Sequence, residues 1–316
     1  MRRPEITNPM TKELTMNTRI LIIVGTLTVI TVAAPAQPTP PSTDIWLAPL
    51  RAHGTTLSVG TPVNVTNRAG YDNQPSFLTD GSGILYTALQ DDPPGPQAPT
   101  QTDIFRYIIA TKSTERVTKT AESEYSPTLM PSGSSFSVVR VEPDSTQRLW
   151  RFDLNGLHPS LLLPHVKPVG YHAWIDERTV ALFVLGSPPM LLSADVITGV
   201  VDTIIGSIGR SLHKIPGRRA VSFVHKVSPG EWWIKEFDLA AKSITAIVRT
   251  LAGREDYAWT PDGILVMAQG SKLFSYRPGA SAGWTEIADV SSQKIEGVTR
   301  IAVSPLGNWI AFVATE

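Results

Sequence analysis

Tyr257-Ala258-Trp259-Thr260-Pro261-Asp262-Gly263 ends one short strand, turns, and opens the next. Pro fixes φ and Gly supplies φ > 0, so a Pro-Asp-Gly string marks a tight turn. The unit is legible in five more places: Gln74-Pro75-Ser76-Phe77-Leu78-Thr79-Asp80-Gly81, Ser126-Pro127-Thr128-Leu129-Met130-Pro131-Ser132-Gly133, Tyr171-His172-Ala173-Trp174-Ile175-Asp176-Glu177, Ser211-Leu212-His213-Lys214-Ile215-Pro216-Gly217 and Arg300-Ile301-Ala302-Val303-Ser304-Pro305-Leu306-Gly307. The third copy lacks its glycine, and the fourth has His213 where its neighbours place Trp, Phe or Leu. The turn recurs roughly every 40–50 residues, the period of propeller blades.

Each turn is followed by a short apolar run, at 84–89, 136–141, 180–185, 220–224, 264–268 and 309–314. These runs are too short for helices and are rich in β-branched and aromatic residues, so they read as strands. Several lack polar alternation, as expected where blades bury both faces. Third strands follow at Asp44-Ile45-Trp46, Asp103-Ile104-Phe105, Arg148-Leu149-Trp150, Met190-Leu191-Leu192, Trp232-Trp233-Ile234 and Lys272-Leu273-Phe274. The last copy, 295–316, is only a front half, and 44–66 is only a back half. Joining them closes the ring and removes its open edges. The expected fold is therefore all-β: a six-bladed β-propeller of four-stranded blades over 44–316, closed by pairing the N-terminal and C-terminal half-blades.

Closed all-β folds accommodate 316 residues in one domain. With 28 basic and 28 acidic residues, there is no electrostatic case for nucleic acid or an anionic membrane. The absence of cysteine excludes disulfides, thiolate metal sites and a cysteine nucleophile. Arg19 precedes the apolar stretch 20–34, and Ala34-Pro35-Ala36 reads as a signal-peptidase site. That stretch is about 15 residues, short of the roughly 20 that span a bilayer. Residues 1–36 are expected to be a signal peptide starting at Met1 or Met16, and the Pro-rich 37–43 a linker. The product is expected to be periplasmic or secreted, with no membrane attachment after cleavage.

The modules resemble the TolB-type β-propeller family, whose repeat carries a Pro-x-Trp-Ser-Pro-Asp-Gly core; Tyr257–Gly263 is its best copy here, followed by Arg300–Gly307 and Gln74–Gly81. The resemblance spans about 44–316. It implies the fold firmly and the function weakly, since unrelated activities share propellers. TolB proteins carry a further N-terminal domain, for which a chain entering its first propeller strand at Asp44 leaves no room. Propeller peptidases related in fold add a hydrolase domain, but no Gly-x-Ser-x-Gly elbow is found here.

One rim is expected to gather the residues just before each first strand: Asp72, Asn73, Glu124, Tyr125, Tyr171, His172, Arg210, Glu255, Asp256, Thr299 and Arg300. Asp72, Glu124, Tyr125, His172, Arg210, Asp256 and Arg300 are the candidate ligand or partner contacts. The long insertion 90–101 belongs to the same rim. Trp46, Trp150, Trp174, Trp233, Trp259 and Trp309 are expected to pack between blades at equivalent positions, with Trp232 and Trp284 off that pattern. Among His53, His158, His165, His172, His213 and His225 no pair has metal-site spacing, so no metal and no cofactor are expected. The expected function is a monomeric binding scaffold. Its partner is an envelope or extracellular protein, or a small polar or glycan ligand, held at that rim. The competing expectation is a polysaccharide-active enzyme. Family-related oligogalacturonate lyases hold a cation with channel histidines, and rim Tyr, His, Arg and acid residues would do acid–base work. Within that reading, Glu124 and Asp256 would form a glycosidase pair if their spacing allows it; a third reading is a purely structural remnant of a larger export or sensor system.

Overall fold

The computed structural model describes Met1 and residues 41–54, 56–90 and 101–315. The chain divides into Met1–Thr39 and a compact unit Pro40–Glu316. The expected signal peptide, the alternative start at Met16 and the beginning of the expected linker fall outside the described residues, as does the core of the 90–101 insertion.

The compact unit is the six-bladed propeller, each blade an antiparallel sheet. Inner to outer, blade 1 runs Asp72–Phe77, Gly83–Leu89, Thr102–Ile108 and Ser113–Arg116; blade 2 runs Ser123–Leu129, Ser135–Val141, Gln147–Asp153 and Ser160–Leu162. Blade 3 is Val169–Trp174, Thr179–Val184, Met190–Asp195 and Val201–Gly206; blade 4 is Ile208–Lys214, Ala220–Ser228, Glu231–Asp238 and Ser243–Arg249; blade 5 is Tyr257–Trp259, Leu265–Gln269, Lys272–Tyr276 and Thr285–Asp289. Blade 6 takes its inner strands, Thr299–Val303 and Trp309–Thr315, from the C-terminal end and its third, Thr43–His53, from the N-terminal end. These pair from Thr43↔Thr315 to Pro49↔Trp309, which closes the ring. Two short strands, Thr56–Val59 and Val63–Asn64, share the outer place of this blade.

The turn glycines behave as their sequence context predicts. Gly81, Gly133, Gly217, Gly263 and Gly307 all have φ between 69° and 81°, a region closed to most side chains. Blade 3 replaces the glycine with a carboxylate cap: Asp176 Oδ1 accepts the main-chain N–H groups of Arg178 and Thr179.

There is no single central core. Six apolar clusters each straddle one blade interface. Leu85 and Ile104 of blade 1, for example, meet Phe136, Val138 and Phe152 of blade 2, and Ile45 and Val313 of blade 6 meet Ile84 and Tyr86 of blade 1. Second strands are buried on both faces, which is why they read as unbroken apolar runs.

The tryptophans depart from the expected single repeat position. Trp174 and Trp259 lie on inner strands, Trp46, Trp150 and Trp233 on third strands, and Trp309 on a second strand. The two inner-strand tryptophans fasten blades together. Trp174 Nε1 donates to Ser137 Oγ of the preceding blade at 2.9 Å, and Trp259 Nε1 donates to Ser222 Oγ at 2.8 Å. Trp232 and Trp284 are half-buried, packed beside the cluster between blades 4 and 5.

Candidate functional site

Every blade contributes its inner strand to the channel wall, and five of the six strands, all but that of blade 5, are bulged. The pairing register slips at Asn73/Ser76, Tyr125/Thr128, Val169/Tyr171, Ile208/Leu212 and Thr299/Ala302. A bulge re-aims a side chain. Gln74, Ser126 and Arg300 sit at three of these bulges with φ of 58°, 54° and 50°, a conformation that non-glycine residues adopt at a cost. Pro75 and Pro127 follow directly; their missing N–H groups are tolerated because an inner strand has one unpaired edge.

The ring that results has one side chain per blade: Gln74, Ser126, Tyr171, Arg210, Asp256 and Arg300, all on the channel wall. The members are tied together. Gln74 Oε1 accepts the Ser126 N–H at 2.8 Å and the Thr87 hydroxyl at 2.8 Å. Arg210 grips Asp256 with Nη2 at 2.8 Å and Nε at 3.3 Å. Its own main-chain N–H is accepted by Glu255 at 3.1 Å, and Glu255 is paired with Lys226 at 3.0 Å. Arg300 Nη2 donates to the Tyr171 hydroxyl at 2.7 Å, its guanidinium lies 4.9 Å from the Tyr171 ring centroid, and Nη1 is 3.8 Å from Asp256. Blades 3 and 6 are opposite each other in the ring, so this bond runs across the channel. Burial pushes the Asp256 carboxyl up, but Arg210 and Arg300 outweigh it and hold it below the usual carboxylate range. Burial raises the Tyr71 phenol, which lies close enough to feel Arg300, Tyr171, Tyr125 and Arg210.

The expected rim residues separate into two groups. Arg210, Asp256 and Arg300 come together as described, with Tyr171 beside them. Asp72 and Glu124 do not reach the channel wall: both are fully buried within the blades. Asp72 is paired with Arg68 at 2.7 Å and Glu124 with Arg140 at 3.1 Å. Burial raises their carboxyls, Asp72 to about 6 and Glu124 to about 7, against the opposing pull of those arginines. The glycosidase pairing of Glu124 with Asp256 across the channel is therefore not formed. Tyr125 is half-buried against the cluster between blades 2 and 3.

His172 is a blade fastener. Ser137 Oγ accepts Trp174 Nε1–H at 2.9 Å and hydrogen-bonds His172 Nε2 at 2.6 Å, with Thr128 O at 3.3 Å. Burial holds the ring down to about 3, keeping it neutral. Acid–base work at neutral pH does not suit such a group. Blade 4 repeats the arrangement toward blade 5: Ser222 donates to His213 O and meets Tyr257 Oη and Trp259 Nε1. His213 lies 4.7 Å from the Tyr257 ring and is likewise held down by burial, to about 4. Among the described residues no group of His, Asp or Glu is placed to hold a metal ion.

The site reading had missed Gln74 and Ser126. Their signal is positional: Gln74, Ser126, Arg210, Asp256 and Arg300 each stand seven residues before the turn glycine of their copy. Beneath the ring is a cavity of about 590 Å³ walled by the inner strands of every blade; Leu129, Trp259, Ala302 and Val303 are partly exposed there, whereas Phe77, Trp174 and Leu212 are buried in the blade interfaces. The base of the 90–101 insertion is on the ring's side, since Leu89 N–H bonds Tyr71 O and Gln90 N–H bonds Gln101 O.

No model of a known protein family matches the chain, and no curated protein matches it. Solved structures do. A TolB-type protein from Agrobacterium tumefaciens superposes with a TM-score of 0.66 at 15% identity, over 87% of this chain and 99% of that one. TolB from Acinetobacter baumannii gives 0.53 at 12% identity, over 86% of this chain and 64% of that one. The tricorn protease gives 0.53 at 15% identity, over 79% of this chain and 26% of that one. At such identities the likeness is one of fold: this chain is a six-bladed β-propeller similar in fold to those of TolB proteins.

Proposed function

We propose that this chain is an exported propeller that works as a binding scaffold. It holds a segment of an envelope or extracellular protein, or a small polar or glycan ligand, in the mouth and bore of its channel. The observation that carries this is the six-membered ring of Gln74, Ser126, Tyr171, Arg210, Asp256 and Arg300 above a cavity of about 590 Å³. A few fixed polar groups over an apolar wall is how ligand sites are built. The TolB-type fold supports a protein partner. Export is supported by Arg19, the apolar stretch 20–34 and Ala34-Pro35-Ala36; an envelope-fraction product beginning at Gln37 would be its direct mark. Among the described residues no helix is long and apolar enough to cross a membrane.

The test compares the tagged full chain with the triple variant Arg210→Gln, Asp256→Asn, Arg300→Gln in capture from envelope extract and in glycan-array binding. Changing all three together leaves no uncompensated buried charge, so folding is retained. A partner or glycan held by the wild type and lost by the variant is the expected result. Identical profiles for the two proteins would sink the proposal.

A further inference from the structure

The charges on the channel wall do not balance. Arg210, Lys214 and Arg300 face it, against the single carboxylate of Asp256. Arg210 already holds that carboxylate at 2.8 Å, and Glu255 behind it is shared between Arg210 at 3.5 Å and Lys226 at 3.0 Å, so two carboxylates stand against Arg210, Lys226, Arg300 and Lys214. Arg300 is left with a neutral phenol and a carboxylate 3.8 Å away. Its side chain is only 16% exposed, so water compensates little of its charge. A largely desolvated cation that must share one carboxylate with a second arginine is costly. The backbone adds to that cost, with φ of 50° at Arg300; strained residues at such places are commonly kept for what they hold. The two histidines on the wall, His172 and His213, are neutral and do not change the count. The chain as a whole carries no net charge, so the surplus is local.

We propose that Arg300 is the anchor of an anion site, and that the ligand is a carboxylate borne on an apolar chain. The carboxylate pairs with Arg300 at the polar ring, displacing the Tyr171 hydroxyl that now bridges the channel, and the apolar chain lies in the bore against Leu129, Trp259, Ala302 and Val303. Lys214, near the turn end of the inner strand, adds to the positive field. This rests on the reading of the channel as a binding site and names the chemistry it selects.

The test is calorimetric titration of the full chain with four probes: octanoate, octanol, and an apolar tetrapeptide with a free or an amidated C-terminus. Octanoate and the free-acid peptide stand for the two sources of the same group, and whichever binds more tightly identifies the source. Each acid is expected to bind at least tenfold more tightly than its neutral counterpart. Arg300→Gln should remove that preference, Arg300→Lys should retain most of it, and Tyr171→Phe, which frees Arg300, should bind the acids at least as tightly as wild type. The lysine and phenylalanine variants keep the test decisive if Arg300→Gln does not fold. Equal binding of octanol and octanoate, or an acid preference that survives Arg300→Gln, overturns the anion site while leaving the scaffold intact. If none of the four binds but envelope capture still depends on the ring, the anion site falls alone; if capture fails too, both fall.

Discussion

At the residue scale, function and stability compete for the same polar groups. Ser137 hydrogen-bonds two ring nitrogens of the next blade, Trp174 Nε1 and His172 Nε2. Ser137→Ala would leave both buried and unsatisfied, at a cost of about 1–3 kcal/mol for each group. We expect a loss of about 3 kcal/mol in urea unfolding, whereas Ser132→Ala on an exposed turn should change stability by less than about 0.5 kcal/mol. Glu124 supplies a pH signature. Its carboxyl rises from 4.5 to about 7 on folding because burial penalises the charged form. A raised pKa gives stability that is fully present below 4.5 and is lost as pH climbs to about 7. Wild type should therefore lose stability relative to Glu124→Gln across that window and not beyond it. His172 works in the opposite direction. Its pKa falls from 6.5 to about 3, so its contribution is full above 6.5 and drains as the solution is acidified. His172→Gln should flatten the acid side of the same thermal-melt series. A wild-type profile that runs parallel to both variants from pH 4 to 8 would refute these assignments.

At the element scale, the bulged inner strand is the device that makes the channel. A regular strand alternates its side chains between two neighbouring blades. In five blades the extra residue turns one side chain toward the axis instead, giving Gln74, Ser126 and Arg300 their left-handed backbone; in blade 5, Asp256 does so from just before an unbulged strand. The blade interfaces carry the stability. Phe136 and Phe152 stack with centroids 5.6 Å apart, both fully buried between blades 1 and 2. Phe152→Ala should cost about 3–5 kcal/mol. Ile197, 72% exposed on a third-to-outer strand turn, should tolerate Ala within about 0.5 kcal/mol. Chemical denaturation of the two variants compares them directly.

At the scale of the whole molecule, the ring depends on strands from opposite ends of the sequence. Thr43 N–H bonds Gly70 O, away from its partner strand, so Thr43↔Thr315 is a non-hydrogen-bonded pair with Cα atoms about 4.5 Å apart, near enough for a disulfide. The chain has no cysteine of its own, so Thr43→Cys with Thr315→Cys can form only that bond. Oxidation should stabilise the monomer by about 2–4 kcal/mol, reversibly with reductant. Deleting 301–316 should do the reverse, exposing two sheet edges and giving insoluble protein. A soluble, cooperatively unfolding truncation would contradict closure.

The repeat, the blade count and the closure were legible in the sequence because local chemistry dictates them. Pro-Asp-Gly turns, apolar runs of strand length and two unmatched half-units leave few ways to bury the edges. The copy without its glycine was legible as an exception, and Asp176 shows how it is served. The site was legible in part. Arg210, Asp256 and Arg300 do meet on the channel wall, but Asp72 and Glu124, which the sequence places on the rim with them, do not. A sequence reading assigns charge to solvent by default, and only the tertiary structure shows that Arg68 and Arg140 lie where they can hold those carboxylates inside the blades. His172 is similar: a channel-strand histidine reads as a possible acid until Ser137 of the neighbouring blade is seen to bind it. The sequence by itself determined the ring, since turns and strand periodicity are local properties. The tertiary structure alone decided which polar side chains face the axis, because a bulge and a partner from another blade settle that.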